Sequence, residues 1–284
     1  MLRIGICGTE NSHAEHFIRH LNQEGRHAGA RVTALAGGSV ERNRSLAHAG
    51  AIDTVLDDAD ELIGAVDAVI VCDRDGHLHP RRAVPALRAG LPVLVDKPLA
   101  ATVAGAEEII AAACSDGGGL LASYSAVRLC AATAQLAQEA ADPPQTIHVA
   151  GPADPESPHA GLFFYGIHHV EAALELAGNP AGPDAIADVQ VFRGKHTLTA
   201  VAELTAGPRL LIDFAIPTTD QPIGFHATVV RSTGIDARPL TLDADYNAPA
   251  LSRFLTAIAD DHPPMPYDQL LTPVRLMEAI TAQL

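Results

Sequence analysis

Leu2-Arg3-Ile4-Gly5-Ile6-Cys7-Gly8-Thr9-Glu10-Asn11-Ser12-His13 opens as a short apolar run and closes as a polar turn. The run predicts a strand from Leu2 to Cys7. The turn leads into a helix from Ser12 to Glu24, with Ser12 as its N-cap. Outward from this pair, short apolar runs keep alternating with longer helical ones. Strands are expected over 31–36, 53–56, 67–72, 92–95 and 120–123. Helices are expected over 40–49, 79–89 and 103–113. The continuous apolar run 67–72 needs cover on both faces, so the six strands read as a parallel, doubly wound α/β sheet.

After Ala126 the pattern changes. One helix and a connection through Pro143 and Pro144 lead to alternating runs at 145–150, 188–193, 197–204, 209–216, 225–232 and 236–242, which predict antiparallel neighbours. Helices are expected at 164–177 and 273–284. The predicted architecture is an N-terminal Rossmann-type domain over residues 1–123 and a C-terminal α+β domain over residues 124–284, built on a mostly antiparallel sheet.

The 284 residues are 48% hydrophobic and 19% charged, which is globular rather than disordered composition. Lys and Arg number 19 against 34 Asp and Glu, and a formal charge of −15 repels nucleic acid phosphates. The first residues run into a strand without a basic leader, and no long apolar stretch is free of polar residues. A cytoplasmic location without membrane contact is therefore expected. Cys7, Cys72, Cys114 and Cys130 are scattered, and all four read as buried thiols.

In a sheet of this kind a ligand sits beyond the carboxyl ends of the first and fourth strands. A loop holding a dinucleotide pyrophosphate would read G-x-G-x-x-G, and here only Gly8 of the three glycines is present. Glu10 would repel a phosphate about 5 Å away by about 3 kcal/mol at an effective dielectric of about 20. Either it points away or the phosphates lie elsewhere. Thr9, Ser12 and His13 complete the candidate cradle at the helix start. The second strand ends Ala36-Gly37-Gly38-Ser39 without the acid that takes ribose hydroxyls, and Arg42 and Arg44 follow. That combination favours NADP slightly over NAD. Asp73 and His79, at the end of the fourth strand, are further candidate cofactor contacts. His77, His79, His13, His16 and His169 form no tight metal motif with carboxylate support, so no metal is expected.

Val95-Asp96-Lys97-Pro98 and Tyr165-Gly166-Ile167-His168-His169-Val170-Glu171 carry a family resemblance. The chain resembles the glucose-fructose oxidoreductase, inositol dehydrogenase and MocA (Gfo/Idh/MocA) family, whose motifs are E-K-P and D-x-G-x-H-x-x-D. Asp96 stands for the family Glu, Phe164 for the first acid of the second motif, and Glu171 for its last. The resemblance implies that Lys97 lies beside both nicotinamide and substrate and that His168 is the catalytic histidine. Tyr165 is a third catalytic candidate, and Tyr124, Arg128 and His169 are candidate substrate contacts. The implied activity is NAD(P)-dependent hydride transfer to or from a small hydroxylated or carbonyl substrate. The resemblance also implies a homo-oligomer, dimer or tetramer, joined through the open face of the C-terminal sheet. A non-redox enzyme performing elimination or hydrolysis, and a non-catalytic ligand sensor on the same scaffold, are the alternatives.

Overall fold

The computed structural model describes residues 1–138, 142–219 and 221–284. The chain begins β1 (Leu2–Cys7), α1 (His13–Ile18), β2 (Ala30–Ala36), α2 (Val40–Gly50), β3 (Thr54–Leu56), β4 (Ala68–Val71) and α3 (His79–Arg88). It continues with β5 (Val93–Asp96), α4 (Val103–Ala113), β6 (Leu121–Tyr124), α5 (Ala126–Leu129), α6 (Ala131–Gln138), β7 (Thr146–Pro152) and α7 (Phe163–Leu176). The hairpin strands β8 (Ile186–Arg193), β9 (Thr197–Leu204), β10 (Arg209–Ala215), β11 (Phe225–Arg231) and β12 (Gly234–Leu240) precede α8 (Ala248–Asp260) and α9 (Tyr267–Thr281). Helix α1 is shorter than its apolar pattern predicts, because the chain widens into a π-helical turn over Arg19–Gln23.

The chain divides into two compact units. The first holds residues 1–100, 104–123 and 247–267. Its sheet has the order β3-β2-β1-β4-β5-β6, so strand order reverses between β1 and β4, as the sequence pattern implies. Val69, Ile70 and Val71 of β4 lie in register with Val93, Leu94 and Val95 of β5, and all four β4 residues are buried. Burial on both faces is why this strand reads as an unbroken apolar run.

The first unit also corrects a division at 123/124 alone, which places residues 247–267 with the C-terminal domain. Helix α8 belongs to the first unit, and no periodic pattern was read at its position in the sequence. It turns Ala250, Leu251, Phe254 and Ala257 into the core and packs near α1, where Asn247 Nδ2 lies 3.3 Å from His16 Nδ1. The spacing of those four residues is one helical face, and Pro249 in the first turn is compatible with a helix start.

The second unit holds residues 101–103, 124–246 and 268–284. Its sheet has the order β12-β11-β7-β10-β9-β8. In β9 and β10 every second residue is buried, from Leu198 to Leu204 and from Leu210 to Phe214, leaving one face covered and one outward. The strands are not all antiparallel neighbours, since β7 and β10 run parallel from Thr146 opposite Arg209 to Pro152 opposite Ala215. Helix α7 follows β7 and packs against β7 and β10. The connection from β7 to β10 is thus long, as a parallel pair requires. The helix expected after Ala126 is broken into α5 and α6, because Cys130 takes an extended conformation (φ −67°, ψ 154°). Cys114 is exposed, whereas Cys7, Cys72 and Cys130 are buried as expected. Among the described residues, no helix is long and apolar enough to cross a membrane.

Candidate active site

In the first unit the candidate residues gather at the carboxyl ends of β1, β2, β4 and β5. Gly8 ends β1 with φ +78°, and a Cβ there would lie 2.3 Å from the Asp73 backbone nitrogen. Only glycine permits both this left-handed conformation and the close approach of the loop after β4. Thr9 is fully buried, and its hydroxyl donates to the Gly37 carbonyl at 2.9 Å and lies in hydrogen-bond contact with Asn43. Asn43 Nδ2 donates to the same carbonyl at 2.7 Å. This buried network ties the β1–α1 loop to the β2–α2 turn. The Thr9 side chain is therefore structural and not the cofactor contact expected for it.

Two further expectations change at the helix start. Ser12 occupies the cap position of α1, but its hydroxyl makes no capping bond. Asn11 Oδ1 accepts the His13 N–H instead, at 3.2 Å. Asn11 was not singled out in the sequence, although its hydrogen bond two residues on is the ordinary habit of Asn before a helix. Glu10 is exposed and turned toward β2, where its Oε1 accepts the Ser39 N–H at 2.6 Å.

His13 points inward. Its Nδ1 donates to Asp96 Oδ2 at 2.6 Å, and Asn11 Nδ2 donates to the same oxygen at 3.2 Å. Burial acts to raise the Asp96 pKa. The charge and hydrogen bond of His13, with Lys97 and His79 nearby, outweigh it and hold the carboxyl below its ordinary value. Lys97 follows directly and is 5% exposed. A lysine so placed brings a positive charge and donor hydrogens to the end of β5, with an ionised carboxylate close by to support it.

His79 is fully buried, with Nδ1 2.7 Å from the Pro98 carbonyl oxygen and Nε2 2.9 Å from that of Asp73. It clamps the loops after β4 and β5 together. With both ring nitrogens engaged, it has no edge left for the cofactor contact expected of it. Asp73 is buried against Gly8, and its Oδ2 lies 3.8 Å from Arg82 Nε. Both atoms are buried without a hydrogen bond. Arg82 was missed because its position, in mid-helix α3, carries no local signal. Arg42 is held by the Thr9 carbonyl, which accepts its Nε–H at 3.0 Å, and by an ion pair with Glu15.

The glycine at Gly8, the orphaned polar pair under it, the α2 N-terminus at Ser39 and the buried Lys97 fit a dinucleotide laid along these strand ends. Gly8 would admit the pyrophosphate, Ser39 and Glu10 the adenosine ribose, and Lys97 the nicotinamide.

In the second unit, α7 carries the other candidates. His168 is 6% exposed, and its Nδ1 lies 2.6 Å from Ser125 Oγ. That oxygen already accepts the Val127 N–H at 3.2 Å as the N-cap of α5. The contact engages Nδ1 and fixes the orientation of the imidazole ring against the turn before α5. Glu171 Oε2 accepts the Ser125 N–H at 2.8 Å, so the helix and the turn before α5 are joined twice. Ser125 went unremarked because a lone serine between strand and helix reads only as a cap.

Tyr165 is 44% exposed and meets the His168 ring edge-on at 5.8 Å, while Phe164 packs on Tyr165 at 5.1 Å. His169 and Arg128 do not match the expected substrate contacts. His169 is fully buried against Phe214 and Phe225, and burial pushes its pKa down to about 4. It follows His168 by one residue and so turns to a different side of the helix. Arg128 is 4% exposed, with Nε donating to Glu175 at 2.7 Å and Nη2 to Asn179 at 2.8 Å. Glu171 is 3.8 Å away, and the guanidinium lies 6.0 Å from the centre of the Tyr124 ring, which is itself 3% exposed. Its donors are committed to the second unit's own packing.

Residues 2–124 match the model of an oxidoreductase family with an NAD-binding Rossmann fold. A stretch of 114 residues is 44% identical to inositol 2-dehydrogenase 1 of Saccharopolyspora erythraea, covering 39% of this chain and 32% of that protein. The match thus spans about a third of the length of this curated relative. Over nearly the whole chain, the structure resembles an oxidoreductase domain protein from Kribbella flavida. The TM-score is 0.82 at 21% identity, covering 99% of this chain and 96% of that one. It also resembles myo-inositol dehydrogenase from Lactobacillus casei, a structure in complex with NAD(H) and myo-inositol. There the TM-score is 0.79 at 16% identity, covering 99% and 94% of the two chains. These two likenesses show the fold.

Proposed function

We propose that this chain, whose residues 2–124 match the model of the Gfo/Idh/MocA oxidoreductase family with its NAD-binding Rossmann fold, is a nicotinamide-dependent dehydrogenase or reductase of that family. Its substrate on this reading is a small molecule with a secondary hydroxyl or the matching ketone, of the cyclic polyol class that the relatives' names carry. The observation that carries the reading is Lys97, buried beside the ionised Asp96 carboxylate to which His13 is hydrogen-bonded, at the carboxyl end of β5.

A bound nicotinamide supplies the hydride acceptor or donor. The protein's own residues supply the rest. Lys97 stabilises negative charge as it develops on the substrate oxygen. His168, with its ring held through Nδ1 by Ser125, takes up the hydroxyl proton when the substrate is oxidised and returns it when the carbonyl is reduced. Tyr165 keeps a place in this proposal as an exposed polar contact next to the His168 ring. Phe164 adds no carboxylate to the relay, and the serine hydroxyl is the group that orients the imidazole.

The sequence favoured NADP on the strength of Ser39, Arg42 and Arg44. Arg42 is now committed to Glu15 and the Thr9 carbonyl, so a 2′-phosphate would have to displace an ion pair to reach it. This supports NAD. The cytoplasmic location and the homo-oligomer remain part of the proposal. On the outward face of the second sheet half-buried Val201 and Leu211 are paired neighbours and Phe192 is 55% exposed at the β8 edge, apolar groups among polar ones that a second copy would cover. Sedimentation velocity on wild type and Leu211→Arg tests the interface, with dissociation of the variant expected.

The activity is tested by incubating the protein with NAD or NADP and a panel of cyclic polyols, following reduced-nicotinamide absorbance. Turnover of at least one polyol is expected. Cofactor binding without turnover of any polyol or ketone would favour a ligand sensor, and turnover without net reduced cofactor would favour elimination.

A further inference from the structure

Glu10 stands where a dinucleotide loop has its second glycine, yet its carboxylate is carried across to the end of β2. Oε1 accepts the N–H of Ser39, the residue that caps α2. That is where an NAD site places an acid from its own second strand to take the adenosine ribose hydroxyls, and β2 here ends Ala36-Gly37-Gly38 without one.

The two segments are in direct contact. Gly38 has φ +80°, and a Cβ on it would lie 2.2 Å from Thr9 Oγ1 and 3.4 Å from Glu10 Oε1. The Ser39 hydrogen bonds, with the charges of Arg42 and Arg74, hold the Glu10 carboxyl below its ordinary value. It is therefore ionised at neutral pH and still open to solvent. The same placement fills the seat that an anion would take at the α2 N-terminus. Of the two cations acting on Glu10, Arg42 is turned to Glu15.

The geometry points to Glu10 as the ribose-recognition residue of this chain, supplied from the β1–α1 loop in place of a β2 acid, and as the group that selects NAD against NADP. This inference rests on the reading that a nicotinamide dinucleotide binds along the first sheet. A carboxylate accepting from the Ser39 backbone and side chain keeps lone pairs for the ribose 2′- and 3′-hydroxyls, which are donors. A 2′-phosphate offers no donor there and adds like charge about 5 Å away, enough for a preference of about 100-fold.

Isothermal titration with NAD and NADP tests it on wild type and Glu10→Gln. Glutamine keeps an oxygen for the Ser39 N–H, so the loop is retained, and a thermal melt checks that the variant is folded. Wild type should bind NAD about 100-fold more tightly than NADP. In Glu10→Gln the ratio should fall below about tenfold, with NAD weaker and NADP stronger. An unchanged ratio in the variant, or a wild-type preference for NADP, overturns the role of Glu10 and leaves cofactor binding standing. If wild type binds neither nucleotide at millimolar concentration, both this inference and the dehydrogenase reading fall.

Discussion

Lys97 and His168 are the side chains whose loss should stop chemistry without unfolding the protein. Lys97→Met and His168→Ala are each expected to lower turnover by about 100-fold or more, the usual scale for a lost acid–base group, with unchanged circular dichroism. Ser125 acts one step removed. Without its hydroxyl, His168 Nδ1 loses the partner that orients the ring. Ser125→Ala should lower kcat by about tenfold and shift the pH–rate profile, while KM changes little. A purely structural serine would lower the melting temperature and leave the profile where it was. These roles differ in how far they could be read from the chain. Lys97 and His168 sit in short motifs with fixed neighbours, whereas Ser125 and Asn11 act through contacts that no spacing announces.

The β1–α1 turn depends on Gly8 in a way that substitution can expose. Gly8→Ala meets both a positive φ and the backbone of Asp73. It should abolish nucleotide binding and lower stability by more than the roughly 1–2 kcal/mol that an alanine in the left-handed region costs alone. Gly64→Ala, at φ +87° with nothing within 4 Å of the added carbon, should show only that conformational cost in a denaturant melt. Helix α7 supplies a pH signature. His169 titrates at about 4 in the folded protein against 6.5 for an ordinary histidine, because burial penalises its charged form. Between these values the unfolded chain holds the extra proton, so stability rises with pH across the window and is lost on acidification. The full effect is about 3 kcal/mol at most. Urea melts of His169→Gln from pH 4 to 6.5 should show a flatter dependence than wild type, and parallel curves would rule out His169 as the source.

The two compact units are not two halves of the chain, because residues 247–267 return to the first. Phe254 on α8 is fully buried there, so Phe254→Ala should destabilise the protein by about 3–5 kcal/mol. Hydrogen exchange should place the loss in the first unit's amides, including those of α1, and a loss confined to β7–β12 would contradict the division. Periodicity alone determined much of the rest. The parallel sheet was legible because strands buried on both faces are continuous apolar runs, and the second sheet because strands buried on one face alternate. The change of pattern near residue 124 and the motifs around Lys97 and His168 were equally local. Tertiary structure alone decided where α8 packs, that β7 and β10 run parallel, and that Thr9, His79, Arg128 and His169 serve the scaffold. It also decided that the Glu10 carboxylate lies 29 residues along the chain from its own position, at Ser39. Periodicity reports whether a residue faces core or solvent, because burial repeats with the backbone. It carries no record of which distant group a polar atom meets, and that meeting is what makes a buried histidine a clamp and a loop glutamate a specificity residue.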